Sequence, residues 1–81
     1  MEGTAGRVAP HNEDAERTLL GSVFYDNRVL DELVGSVQPT DFYSESHRLI
    51  YRAMLALQKR GEGIDVITVG DQLASEGSLD V

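Results

Sequence analysis

Asp41, Ser44 and His47 are the side chains whose types and spacing come nearest to chemistry, at i, i+3 and i+6. A nucleophile, a base and an orienting acid need Ser and His within hydrogen-bond reach and an oxyanion hole opposite them. There is no Gly-x-Ser-x-Gly elbow and no further donor set, and Asp41 and Ser44 are both natural helix-start residues. The bland reading, a capped helix, therefore outweighs a small hydrolase. His11 and His47 have no His or Cys at ligand spacing, and Glu62, Asp65 and Asp71 do not follow a calcium loop. Gly61-Glu62-Gly63 is too slight for a phosphate cradle, since no Gly-Lys-Ser/Thr follows. Three tyrosines and two phenylalanines could stack bases, but at helical spacing such rings are more often core. Arg48, Arg52, Lys59 and Arg60 form the one basic stripe. A solvated face with ion pairs to nearby acids is its simplest explanation.

The element that must position these groups is Asp41–Arg60, a helix from Ser44 onward. Leu49, Ile50, Ala53, Met54 and Leu57 fall at i, i+1, i+4, i+5 and i+8 and draw one apolar stripe. Ser44 reads as the N-cap, Glu45 as a first-turn acid and Gly61 as the residue that ends the helix. A rod of about 16 residues spans roughly 24 Å and needs other apolar faces to cover it.

The rest of the chain offers them. Asn12 reads as the cap of a first helix, with Glu13, Asp14 and Glu16 in its opening turn and Ala15, Leu19, Leu20, Val23 and Phe24 along its stripe. Gly21 lies inside it, and a close helix–helix approach is the usual compensation for a helical glycine. Asp26 or Asn27 caps a second helix carrying Val29, Leu30, Leu33, Val34 and Val37, loosened at Gly35-Ser36 and ended by Pro39. Thr40, Asp41 and Phe42 suit a short 3₁₀ turn. Asp65 caps a last helix with Val66, Val69 and Leu73 on one line and Ile67 and Ala74 beside it. The β-branched run IDVITV would also suit a strand, but the capping Asp, the i, i+3, i+7 spacing and the want of a pairing strand favour helix.

These patterns predict an all-α fold, a compact orthogonal bundle of about four to five short helices over residues 10–81, preceded by a flexible arm at residues 1–9. With 81 residues and no cysteine, the chain holds neither a disulfide nor a thiolate metal site. No apolar run reaches the roughly 18 residues of a membrane span, and no signal-peptide core is visible, so a cytoplasmic protein is expected. Fourteen acids against seven bases leave a net charge of −7, which repels a phosphate backbone. Residue chemistry alone thus points to a non-catalytic interaction module, with a small DNA-binding regulator as the competing class.

An ordered series of short motifs adds a resemblance. Pro10-His11-Asn12, Asp14-Ala15-Glu16, Leu20-Gly21-Ser22, Asp41-Phe42-Tyr43, His47-Arg48, Ile50, Met54, Leu57, Gly61, Ile64-Asp65, Thr68, Leu73, Gly77 and Leu79 together resemble the N-terminal domain of bacterial replicative DNA helicases, the DnaB family. The resemblance implies a scaffold in the N-terminal collar of a hexameric 5′-to-3′ helicase. Its partners would be neighbouring helicase protomers and the C-terminal domain of primase, with DNA met only indirectly and the whole working beside the bacterial nucleoid. It implies no catalytic, metal or cofactor site here, since the family's ATP and Mg²⁺ belong to a downstream domain. Glu16, Asp41, Phe42, Tyr43, His47, Arg48 and Asp65 become the structural or interaction candidates. The family continues beyond Leu79-Asp80-Val81 into a further helix and a helical hairpin, so part of the apolar stripe is expected to be uncovered.

Overall fold

A computed structural model describes residues 12–77. The expectations for the N-terminal arm, for Pro10 and His11 and for the tail from Ser78 concern residues outside that range. Four α-helices run in order: α1 Glu13–Tyr25, α2 Arg28–Leu33, α3 Glu45–Arg60 and α4 Val66–Ser75, with a 3₁₀ turn at Pro39–Asp41 between α2 and α3. No strand occurs among the described residues, so the bundle is all-α. None of these helices is long and apolar enough to cross a membrane.

Each helix starts where its side chains can satisfy the free N–H groups of a first turn. The Asn12 side chain accepts from Ala15 N at 3.0 Å. Ser44 Oγ accepts from His47 N at 3.4 Å. Asp65 accepts from Thr68 N at 2.8 Å while the Thr68 hydroxyl accepts from Asp65 N at 2.9 Å, a reciprocal capping box. That box decides IDVITV: the backbone groups a strand would need to pair elsewhere are already spent in the first turn of α4. At its far end α3 stops on Gly61, whose φ of 73° is left-handed and suits a residue without Cβ.

The core is arranged around α3, which packs against α1, α4 and the 3₁₀ turn. Tyr51, Ala53, Met54 and Leu57 are buried on it. At 100° per residue they cover an arc of about 160°, wider than the stripe the sequence suggests and rotated away from Leu49. The rotation follows from Tyr51: its ring is fully buried and its hydroxyl donates to the Val37 carbonyl at 2.8 Å. Leu20 and Val23 of α1, Leu30 of α2, Phe42, Ile64 and Val69 of α4 complete the core, with Leu19, Phe24, Val29, Leu33, Val37, Ile50, Leu55 and Leu73 half-buried against it.

Four expectations need correction. Ala15 is exposed, because the buried edge of α1 is centred on Leu20 and Val23. The second helix is shorter than its apolar pattern: it closes after Leu33, turns through Val34–Ser36, and delivers Val37 to the core from outside the helix. On α4, Val69 and Leu73 face inward but Val66 and Ile67 are 74% and 73% exposed. Ile64, in the loop before the cap, takes the buried place that Val66 was expected to hold. Gly21 has nothing within 4 Å of the place a Cβ would take, so no close helix approach compensates it.

Two stability outcomes follow. Leu57→Ala removes a fully buried side chain of the core and should cost on the order of 2–5 kcal/mol, seen as a large fall in the thermal midpoint. Gly21→Ala should raise stability by about 0.5–1 kcal/mol, and a melt that moves downward would show that the glycine serves a contact.

Candidate functional site

Five of the seven sequence candidates converge where α1 meets the start of α3. Glu16 sits near the start of α1 and aims its carboxylate across the bundle. One carboxylate oxygen, Oε2, accepts from Tyr43 N at 2.6 Å. The other, Oε1, accepts from Ser44 N at 3.3 Å and lies 2.8 Å from His47 Nδ1. The Glu16 and His47 side chains are only 14% and 12% exposed, so their contact is largely screened from water, while Tyr43 beside them is exposed. For His47 to donate to the carboxylate its Nδ1 carries the hydrogen. Phe42 lies beneath, its ring edge-on to the imidazole at 6.4 Å and tilted against Tyr51 at 5.1 Å. Arg48 donates to the Tyr43 carbonyl at 3.4 Å.

Electrostatics favour the charged carboxylate. Burial of Glu16 would raise its pKa, but the hydrogen bond from His47, those from the Tyr43 and Ser44 N–H groups and the attraction of His47 outweigh it, and the pKa is lowered. The polar groups of this cluster point at one another. It works as a clasp, holding the segment Phe42–Ser44 so that α3 starts at a fixed place on α1.

The remaining two candidates do different work. Asp41 does not reach His47: its Oδ2 accepts from Gln38 N at 2.7 Å and caps the 3₁₀ turn. The Asp41–Ser44–His47 set is therefore not assembled as a triad, since the Ser44 hydroxyl takes the His47 backbone and the imidazole takes Glu16. Asp41 still lies beside the clasp, on a shallow groove of about 250 Å³ with Ala15, Leu19, Val37 and Phe42, apolar enough to take a hydrophobic side chain. Asp65 is the cap of α4 and belongs to another part of the bundle. Among the described residues no group of three or more His, Asp or Glu side chains converges as metal ligands would.

Two positioning residues escape the sequence reading. Asn27 does not cap α2 with its side chain; Asp26 does the local work by accepting from Arg28 N at 3.0 Å. Asn27 instead pairs with the loop before α4 much as a backbone amide would. Its Nδ2 donates to the Ile64 carbonyl at 2.9 Å and to the Val23 carbonyl at 2.8 Å, and its Oδ1 accepts from Ile64 N at 2.8 Å. Nothing local signals a contact 37 residues away. Tyr51 was legible in principle, since it stands at i, i+3, i+6 with Met54 and Leu57.

The clasp has a pH signature. A lowered carboxylate pKa contributes stability that is fully present above the ordinary glutamate range and is lost as pH falls through the depressed value. Glu16→Gln should cost on the order of 1–3 kcal/mol at neutral pH. The gap to the unchanged chain should shrink on acidification below about pH 4. Thermal melts across that range check it; a gap that stays constant would mean the charge is irrelevant.

Comparison with known proteins meets this geometry over nearly its whole extent. The family described as DnaB-like helicase N terminal domain matches residues 8–81. The replicative DNA helicase DnaC of Bacillus subtilis is 40% identical over 74 residues, 91% of this chain and 16% of that protein. The replicative DNA helicase DnaB of Leifsonia xyli is 40% identical over 73 residues, 90% of this chain and again 16% of that protein. The solved N-terminal domain of DnaB helicase from Mycobacterium tuberculosis superposes with a TM-score of 0.83 at 32% identity, covering 88% of this chain and 51% of that one. The chain thus spans about one-sixth of the length of these helicases. With its fold, its motifs and its match in agreement, the chain belongs to the DnaB-like helicase N-terminal domain family.

Proposed function

We propose that this chain acts as the non-catalytic N-terminal scaffold of a hexameric replicative helicase, where copies assemble into a collar that docks the C-terminal domain of primase. The observation that carries this reading is the continuous match of residues 8–81 to the family, together with a cluster of polar residues turned inward on one another. A fold whose scarce semi-buried acid and imidazole are spent in positioning helices is suited to presenting a surface. Ser44 and His47, the pair that came nearest to a nucleophile and base, are both engaged in that positioning.

The residues present do not fit a nucleotide cradle. Gly61 closes α3, the Gly63 carbonyl accepts from the Thr68 hydroxyl at 2.9 Å, and no lysine follows to meet a phosphate. In this proposal ATP and Mg²⁺ bind a downstream domain of the same protein. That domain does the 5′-to-3′ unwinding, and the scaffold touches DNA only through it. The assembly works in the bacterial cytoplasm, at the nucleoid.

Deletion of residues 10–81 from the parent helicase tests the reading. The truncated protein is expected to keep an ATPase that primase no longer stimulates, and to lose primase in a pull-down that the full-length protein passes. Normal primase coupling in the truncated helicase would overturn it.

A further inference from the structure

Among the described residues there are six Lys and Arg side chains, in a chain that carries twice as many acids as bases. Three are neutralised next door: Arg17 by Asp14 at 2.6 Å, Arg28 by Asp26 at 3.0 Å and Arg60 by Glu62 at 3.1 Å. The ion-paired face expected for the basic stripe of α3 is thus realised at Arg60 alone. Arg52 and Lys59 are exposed and have no ion-pair or hydrogen-bond partner among the described residues, and Arg48 reaches only the Tyr43 carbonyl.

These three share one line. At 100° per residue, positions 48, 52 and 59 lie within an arc of about 40°, and they run about 16 Å along the helix. That line is the side of α3 turned away from its buried arc. Its shoulder is apolar: Leu49 is half-buried yet stands outside the core cluster, and Ala56 is half-buried two turns further along. Between Arg48 and Arg52 a notch of about 350 Å³ opens, also lined by Thr40, Glu45 and Leu49. Guanidinium groups spaced one turn apart beside a hydroxyl and an isobutyl group suit carboxylates followed by an aliphatic side chain.

We propose that this outer face of α3 docks a short acidic segment of a partner protein. Arg48, Arg52 and Lys59 take its carboxylates, and Leu49 and Ala56 take its aliphatic side chains. Charge complementarity selects the occupant. A long polyanion such as DNA would extend past three cations onto a surface of net charge −7, with Glu45 at the rim of the notch itself. A short segment ends before it meets that repulsion, and the apolar shoulder gives it a contact that phosphate cannot use. The surface meets the Glu16 clasp at Arg48 alone, through the Tyr43 carbonyl, and does not depend on primase being the partner.

The test uses the full 81-residue chain and a fluorescein-labelled peptide in which pairs of glutamates alternate with single leucines, followed by anisotropy at about 50 mM salt. Saturable binding is expected, weakened about tenfold or more by the double reversal Arg52→Glu with Lys59→Glu. Neutralisation by Arg52→Gln with Lys59→Gln should lose part of the affinity, and Arg17→Glu with Arg28→Glu, on other helices, should keep it. Any of four results would overturn the proposal. These are no binding to the unchanged chain, equal binding by the reversed chain, binding of a glutamate-only peptide or an oligo-dT strand as tight as that of the leucine-bearing peptide, and a dimer in light scattering that the reversal dissolves. The last would assign the face to a second copy of the chain.

Discussion

A helix that begins in mid-bundle presents backbone N–H groups to its surroundings, and something must accept them. For α3 the local cap is weak, a single Ser44 hydroxyl at 3.4 Å. A second acceptor comes from another helix: the Glu16 carboxylate takes the N–H of the cap residue Ser44, that of Tyr43 just before it and the imidazole of His47 at once. Charged acceptors make shorter and stronger hydrogen bonds than neutral ones, and this one is largely shielded from competing water. The rest of the arrangement depends on it, because α3 is the helix against which α1, α4 and the 3₁₀ turn are laid.

The same device recurs twice in other chemistry. Asn27 gives both halves of its amide to Ile64, fixing the turn after α1 to the loop before α4. Tyr51 sends a phenol through the core to the Val37 carbonyl, in the irregular stretch between α2 and the 3₁₀ turn. Apolar burial drives the helices together but is nondirectional, and several rotations of α3 would bury similar area. The three polar tethers each reach an irregular connection, where backbone groups lack partners of their own. They select one rotation, the one that buries Tyr51 and releases Leu49. Burial and nearby Asp41 raise the Tyr51 pKa.

What could be read from the residues divides along the same line. Helix existence was legible, and so were the ends marked by a cap, because caps are local: Asn12, Ser44, Asp65 and Gly61 each announce themselves within four residues of the bond they make, whereas the early close of α2 after Leu33 has no such marker. Glu16 and His47 were legible as candidates through the resemblance, while their meeting across 31 residues was not. Helix faces came out approximately. Val66 and Ile67 were assigned inward on periodicity, yet both are exposed, and the buried residue is Ile64, held in the loop before α4 by an asparagine 37 residues away. Gly21 misled for the opposite reason: a helical glycine suggests a neighbour, and here only open space lies beyond it.

Surface charge extends the argument from folding to partners. Acids on α1 and near the ends of α3 absorb the cations close to them, so a local ion pair is the ordinary fate of a base in this chain. Arg48, Arg52 and Lys59 avoid that fate because the outer side of α3 offers them Leu49 and Ala56 as neighbours along with Glu45, the single acid on that helix. The central helix is thereby divided lengthwise. Its inner arc is apolar and organises the bundle; its outer line carries the positive charge left unneutralised among the described residues. Tyr51 and Leu57 lie on the inner arc, so side chains on the outer line can be engaged without entering the core.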